Sequence, residues 1–376
     1  MMRMIDIYRM GLLLQLAVSC VSARSQNCAE TYSFFVAGHV YGAIGTNNIG
    51  VHPPFKEKFP YIQSRSEIEF GLFTGDIVSS NPTAQDWDEI DADVENLGIP
   101  VHFVAGNHEV RNLPLFKERY GDTYFDFTYN NDLFIILDPN IDGWSITGDQ
   151  LAFLENVVSE KGPISDNVFV FFHQILWKDY DNEFNFITWN SNEGRVDPVN
   201  FWPTVIPIFE SISNDVYMFA GDLGASWSSE ASYDRYHNIT LISSGMGALE
   251  GDNFVVVNVD ANNSVNYDLI CLNGSDLFCL GELTDYLTVD ISPSTEAEVK
   301  TNTRFIHPNP ANEFINVSFK QASTLQLFDL KGALILEIAC EEFSNRQIDV
   351  SPLQKGVYTA RLLGEKGIET QKIVIQ

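Results

Sequence analysis

VHFVAGNHEV, residues 101–110, reads as a buried strand that runs into Gly106 and presents Asn107, His108 and Glu109 at its end. A strand covered on both faces is a near-continuous apolar run. Ligands of open α/β sheets bind at the carboxyl ends of such strands. Four other stretches repeat the form. SFFVAGHVYG (33–42) places His39 after an apolar strand, and GLFTGDIV (71–78) places Asp76 there. VFVFFHQ (168–174) places His173, and DVYMFAGDLG (215–224) places Asp222. One such stretch is a weak signal. Five in order, with helical or loop segments between them, are a strong one.

The length of 376 residues suggests two domains, or one large domain with an appendage. The formal charge is −29, and its distribution is uneven. Residues 304–376 hold eight basic and eight acidic side chains, whereas residues 1–303 hold 14 basic and 43 acidic ones. The asymmetry supports a boundary near residue 300. It also argues against a nucleic-acid partner, because phosphate backbones need a basic footprint. Acidity of this kind keeps an extracellular protein soluble.

Residues 1–25 read as a secretory signal. Arg3 and Arg9 give a basic start, diluted by Asp6, and residues 11–21 are an apolar run too short to span a bilayer. Ala23 and Ser25 sit at the −3 and −1 positions of a cut before Gln26, and a cut after Ala23 also fits. Ala17-Val18-Ser19-Cys20 is an imperfect lipoprotein box. No later stretch has the length and apolarity of a transmembrane helix. The exported chain keeps Cys28, Cys271, Cys279 and Cys340, and export permits disulfides. Cys271 and Cys279 flank a polar segment and are the expected pair. Metal-type CxxC spacing is absent.

Between the quoted strands, residues 41–66 read as a loop shaping a site mouth. Residues 84–97 read as an amphipathic helix with Trp87, Ile90, Val94 and Leu97 on one face. Residues 113–120 and 147–161 read as further helices. Residues 124–129 and 133–137 form a strand pair turned at Asn130-Asn131. Residues 177–202 are a polar and aromatic insertion, a candidate lid or specificity loop. Strands at 216–220, 240–243 and 253–259 follow. This gives a signal at 1–25, a main domain at 26–290, a linker rich in Ser, Thr, Pro, Glu and Asn at 291–303, and a module at 304–376. The last has short alternating strands separated by turns, the pattern of a small β-sandwich.

Asp, Asn and His at strand ends form a hard-to-borderline ligand set for Mn, Fe, Zn or Mg. Their order and context resemble the calcineurin-like metallophosphoesterases over roughly residues 30–260. The anchors are TGD at 74–76, GNHE at 106–109, and the strands ending at His173 and at Gly221-Asp222. The resemblance implies a two-sheet α/β/β/α sandwich with the site at one edge. It implies two metal ions about 3.5–4 Å apart that activate a bridging water. Carried over by position, Asp76 is the bridging carboxylate. Asn107, His173 and Asp222 complete the second metal's shell, and His39 serves the first. His108 stabilises the transition state or protonates the leaving group. Arg111, close in sequence, is a candidate phosphate contact. His237 is a candidate helper from outside the motifs, and His102 reads as structural.

Two positions depart from the family pattern. Ala37-Gly38-His39 stands where the family has Asp-x-His, and Gly221-Asp222-Leu223-Gly224 stands where it has Gly-His-x-His. The first metal thereby loses ligands at Ala37 and Gly224. The expected cofactor is one divalent ion (Mn, Fe or Zn) held firmly, with a second held weakly or not at all. The expected activity is a secreted phosphoesterase acting on phosphomonoesters or diesters. The rival reading is a degenerate phosphoesterase fold serving as a secreted or cell-surface binding protein.

HPNPANEFINVSF at 307–319, LQLFDLKGALI at 325–335, IDVSPLQKGVYTARL at 348–362 and KIVIQ at 372–376 resemble the type A sorting domain of the type nine secretion system. The resemblance implies Sec export, then passage across the outer membrane by that machinery. A carbohydrate- or partner-binding sandwich is the alternative for this module.

Overall fold

The computed structural model describes residues 31–43, 50–79, 81–224, 231–247 and 250–291. Further on it describes 306–307, 311, 313–318, 323–329, 333–340, 345–364 and 367–375. The signal segment, Cys28 and residues 292–303 of the expected linker lie outside these residues.

Among the described residues, twelve strands build the main domain: β1 Tyr32–Ala37, β2 Ile68–Thr74, β3 Val101–Val104, β4 Phe125–Tyr129, β5 Asp132–Ile136, β6 Asn167–Phe172, β7 Asp215–Gly224, β8 Ser232–Tyr236, β9 Ile239–Met246, β10 Asn253–Val259, β11 Val265–Cys271 and β12 Leu287–Ile291. They form two sheets, ordered β11-β10-β1-β2-β3 and β12-β8-β9-β7-β6-β5-β4. β1, β2 and β3 run parallel, as do β5, β6, β7 and β9.

The apolar runs make two-faced strands because successive side chains alternate. Phe34 and Val36 of β1 point between the sheets, where they meet Phe134, Phe169, Phe171 and Phe219. Phe35 and Ala37 point outward onto the layer holding Phe55, Phe59, Ile62, Trp87 and Ile90. In the other sheet Val168, Val170 and Phe172 face outward onto Leu154, Val158 and Phe209. The helices at Ala84–Leu97 and Gly148–Lys161 cover opposite outer faces. The architecture is thus the expected α/β/β/α sandwich. Full burial of each large apolar side chain is worth about 1.5–3 kcal/mol, so the phenyl layer holds the two sets of strand ends together.

Local signals account for the boundaries. Thr83 and Asp86 form a capping box at the first long helix, which Gly98 closes in a left-handed conformation. Asn130 and Asn131 both take positive φ, as a tight hairpin turn requires. The expected loop at 41–66 instead contains helices Pro53–Lys56 and Phe59–Ser64, because Phe55, Phe59 and Ile62 are drawn into the outer core. β7 runs beyond residue 220, pairing Leu223 with Gly245 and Gly224 with Met246 after a bulge. β8, β11 and β12 were not legible as separate strands. Cys271 and Cys279 are disulfide-bonded, as expected. His102 stacks on Phe127 at 4.3 Å, a structural role, and His237 pairs with Glu210.

In the C-terminal part, sheets ordered Ile306–His307, Phe314–Ser318, Asn345–Asp349 and Leu334–Cys340, Ser323–Phe328, Gly356–Gly364, Gly367–Ile375 share one core. Ile315, Val317, Leu325, Leu327, Ala360 and Ile373 are fully buried in it.

Asp234 of β8 gives a pH-dependent prediction. Its carboxylate accepts the Val289 and Thr288 N–H groups at 2.7 and 3.2 Å, while its second oxygen has no partner. Burial raises its pKa to about 6, above the unfolded value. The folded protein therefore binds this proton more tightly, and the associated stability is lost as pH rises from about 4 to 6. Asp234→Asn does not titrate. Chemical denaturation across pH 4–7 should move the stability difference toward the variant by about 2 kcal/mol; a constant difference would contradict this.

Candidate metal centre

Asp76 is the centre of the cluster. It lies just past β2 with φ +48°, and His39, just past β1, has φ +58°. Such left-handed conformations cost about 1–3 kcal/mol each and persist only where surrounding contacts impose them. Here the His39 N–H donates to Gly75 O at 3.1 Å and the Tyr41 N–H to Asp76 O at 3.2 Å.

Three imidazoles converge on this carboxylate in the same manner. The Nδ1 of His39 faces Gly42 O at 3.2 Å, that of His108 faces Val78 O at 2.7 Å, and that of His173 faces Thr74 O at 2.8 Å. A carbonyl only accepts, so each Nδ1 carries the proton and each Nε2 points inward. Those Nε2 atoms stand 3.5, 3.6 and 3.4 Å from the Asp76 oxygens. Asp222 joins through the fifth strand end, its Oδ1 at 3.7 Å from His173 Nε2. Gly221 lets the two sheets close here: a Cβ on it would meet Thr74 O at 2.0 Å.

The charges follow from burial and proximity. Burial alone would raise the Asp76 pKa, but His173, His108 and His39 outweigh it and hold the carboxyl well below its usual range. Burial opposes the charge on His173, yet Asp76, with Asp222, pushes its pKa up to about 10. Burial raises Asp222 to about 8, opposed by His173 and reinforced by Asp76. Burial lowers His39 to about 4 against the pull of Asp76.

Asp76 Oδ2 and His173 Nε2 are buried with no partner in hydrogen-bonding geometry, and the buried Asp222 oxygens have only loose approaches from the Ser191 N–H and the Asn190 amide. Leaving such groups unmatched is costly unless something else satisfies them. Two ligands each about 2.0–2.2 Å from one cation stand roughly 3–3.6 Å apart. The separations of 3.4 Å for His173–Asp76 and 3.7 Å for His173–Asp222 are close to that spacing. No three His, Cys, Asp or Glu side chains among the described residues meet in a closed ligand shell. The Asp76–His173–Asp222 side offers carboxylate and imidazole donors of the type a divalent ion takes, two of the pairs being near that spacing. The His39 side does not fit one: its Nε2 is already engaged with Asn190 Nδ2 at 2.8 Å.

The remaining expected residues sit around this core. Asn107 is buried, and its amide donates to Glu193 Oε2 at 3.4 Å. Arg111 also points at Glu193, with Nη2 donating to Oε2 at 2.6 Å. The insertion 177–202 thus reaches the site mouth through Asn190 and Glu193. It is laced down by Asn190 N–H to Asp222 O and by Trp144 Nε1–H to Glu193 O, both at 3.0 Å.

Two further residues, Glu109 and Tyr41, had no role assigned from the sequence. Glu109 is fully buried, and its carboxylate accepts N–H bonds from Asp76, Ile77, Val78 and Gly106 at 2.7–3.3 Å. It ties the Asp76 turn to the Asn107-His108 turn. Burial and the Asp76 charge raise its pKa, against those N–H bonds. The signal was its place in GNHE, an acid at a buried strand end. Tyr41 packs between His39 and His108, with ring centroids 4.6 and 5.1 Å away.

Two packed sheets with outer helices, and a His–Asp cluster where parallel strands end, define a metallophosphoesterase-type α/β sandwich. Residues 39–222 match the family model of the calcineurin-like phosphoesterases, and residues 305–376 match that of the secretion system C-terminal sorting domain. The first match covers most of the main domain, and the second covers the C-terminal module. The sorting domain marks it for type nine secretion, to the cell surface or outside. No helix among the described residues is long and apolar enough to cross a membrane.

Among solved structures, a purple acid phosphatase from yellow lupin (Lupinus luteus) seeds is similar at 13% identity and a TM-score of 0.50, over 66% of this chain and 53% of that one. A dimetal phosphatase from Danio rerio is similar at 12% identity and a TM-score of 0.46, over 60% of this chain and 92% of that one. The lupin likeness speaks for the fold alone. No curated protein matches the chain.

Proposed function

We propose that the protein is an exported phosphoesterase that works with one divalent ion (Mn, Fe or Zn) and hydrolyses phosphomonoesters or phosphodiesters. The observation that carries this reading is the convergence of three Nε2 atoms on Asp76 beside unmatched buried atoms of Asp76 and His173. Asp76, His173 and Asp222 would hold the ion, with Asn107 at its edge. A divalent ion there supplies Lewis acidity, drawing charge from a phosphoryl oxygen and acidifying water. His108 has its Nδ1–H fixed on Val78 O, so its Nε2 can hold or deliver a proton toward the leaving group. Arg111 binds substrate phosphate by exchanging its Glu193 partner for it. The proposed unit spans residues 26–290, followed by the linker 291–303 and the sorting domain 304–376.

Elemental mass spectrometry on the full chain, beside hydrolysis of nitrophenyl phosphate and bis(nitrophenyl) phosphate with and without chelator, tests the reading. About one ion per chain and chelator-sensitive hydrolysis are expected. No ion after soaking with Mn, Fe and Zn, with no hydrolysis, would leave the binding-protein reading.

Ion affinity should also depend steeply on pH. His173 and Asp222, raised to about 10 and 8, hold protons that an arriving cation must expel. The sign favours high pH. Between about pH 6 and 8, affinity should rise roughly ten- to hundredfold per unit, for one to two protons released. Calorimetry in buffers of different ionisation enthalpy counts those protons directly; pH-independent binding would contradict the assignment of these ligands.

A further inference from the structure

We infer that the side-chain amide of Asn190, carried in by the 177–202 insertion, stands in for the family's first metal ion at His39, so that the site excludes a second ion. The inference rests on the one-ion phosphoesterase reading and deepens it. Three independent features of the chain support it.

The first is the contact itself. His39 Nδ1 faces the Gly42 carbonyl, which fixes its proton there and leaves Nε2 as an acceptor. Asn190 Nδ2 lies 2.8 Å from that Nε2. The same argument orients the Asn190 amide, since its oxygen has nothing to accept from an unprotonated Nε2. The lone pair a first ion would need is therefore engaged by an N–H. The Asn190 backbone N–H donates to Asp222 O at 3.0 Å, which seats the residue at the end of β7.

The second is Ala37. It is fully buried and packs in the outer core with Phe35, Val40, Ile77 and Met246, offering no ligand. The third is Gly224. It continues β7 into register with Met246 at φ +111°, and a Cβ on it would meet Met246 O at 2.2 Å. No side chain fits there without moving two strands. The missing ligand is thus excluded by the backbone path as well as by residue type. Asn190 is a positioning residue: it fixes His39 and closes the cluster from the insertion side.

The test is metal stoichiometry with Mn(II) alone, read by elemental analysis and low-temperature electron paramagnetic resonance. Wild type should hold about one uncoupled Mn(II). Asn190→Asp should free His39 Nε2 and add an oxygen ligand, raising the content to about two with an exchange-coupled signal. Asn190→Ala should stay near one, while the His39 Nε2 nitrogen-15 shift of histidine-labelled protein moves to that of an acceptor without a donor. Two tightly held ions in wild type overturn the inference and leave the phosphoesterase reading standing. A folded Asn190→Asp that still holds one ion also overturns it. If Asn190→Asp fails to fold, the His39 shift in Asn190→Ala decides, and an unchanged shift overturns the inference. No ion in wild type overturns the phosphoesterase reading and the inference with it.

Discussion

Asp76→Ala should abolish ion binding, from about one per chain to none, and reduce any hydrolysis by three orders of magnitude or more. The reason is geometric. Asp76 is the one group that faces His39, His108 and His173 together, at 3.4–3.6 Å. Removing it takes away a proposed ligand and the only buried charge among the described residues that all three imidazoles share. Loss of one preorganised electrostatic contact typically costs about 10²–10³ in rate, and here the ion is lost with it. The variant carries its own internal check. Without Asp76, the His173 pKa should fall from about 10 toward or below its ordinary value, because burial then dominates. Histidine NMR titration reads this without any substrate. A His173 pKa left near 10, or an ion retained at wild-type affinity, would falsify the central role of Asp76.

Glu109→Ala should be the most destabilising single change near the site. Its carboxylate satisfies four buried N–H groups on two separate turns. Each donor left unmatched in a dry interior costs about 1–3 kcal/mol, so a loss of at least 3 kcal/mol is expected after relaxation. For a domain of this size, 1 kcal/mol moves Tm by roughly 2–4 °C, which puts the fall near 10 °C. Glu109→Gln should be nearly as harmful, because its NH₂ would face two of the same donors. Thermal unfolding checks both. A Tm within 2–3 °C of wild type would mean that water or a backbone shift satisfies the freed groups. Weaker ion binding in the folded fraction is expected too, since the Asp76 turn loses its anchor.

The two variants separate functions that lie one turn apart. In the proposed reading Asp76 carries the chemistry of the cluster, and it is built on a costly backbone conformation. Glu109 touches no imidazole in any bond described above, yet holds the two turns on which that chemistry stands. A loss of binding without loss of stability points to the first role. A loss of both points to the second.

Much of this was legible in the chain itself. Near-continuous apolar runs marked the central strands of both sheets, because a strand buried on both faces can be written in few other ways, while β8, β11 and β12 carried no such mark. The ligand-type residues at their ends fell together, as parallel strands bring their carboxyl ends to one edge. The structure brings His39, Asp76, His108, His173 and Asp222 together at that edge. The disulfide and the capped helix at Ala84–Leu97 needed only local spacing.

Other features were decided by tertiary structure alone. Asn190 meets His39 across 151 residues of chain, and Glu193 meets Arg111 across 82. The insertion that carries them has no periodicity, so no pattern marks which of its polar residues turns inward. The short helices at Pro53–Lys56 and Phe59–Ser64 formed because the outer core accepted Phe55, Phe59 and Ile62. The missing ligand at Gly224 could be read from sequence as a loss. Only the strand path beside Met246 makes it an exclusion, because that path depends on a partner strand the local sequence does not contain. Local composition determines which groups a strand end offers; packing between distant segments determines which of those groups are left open to a ligand.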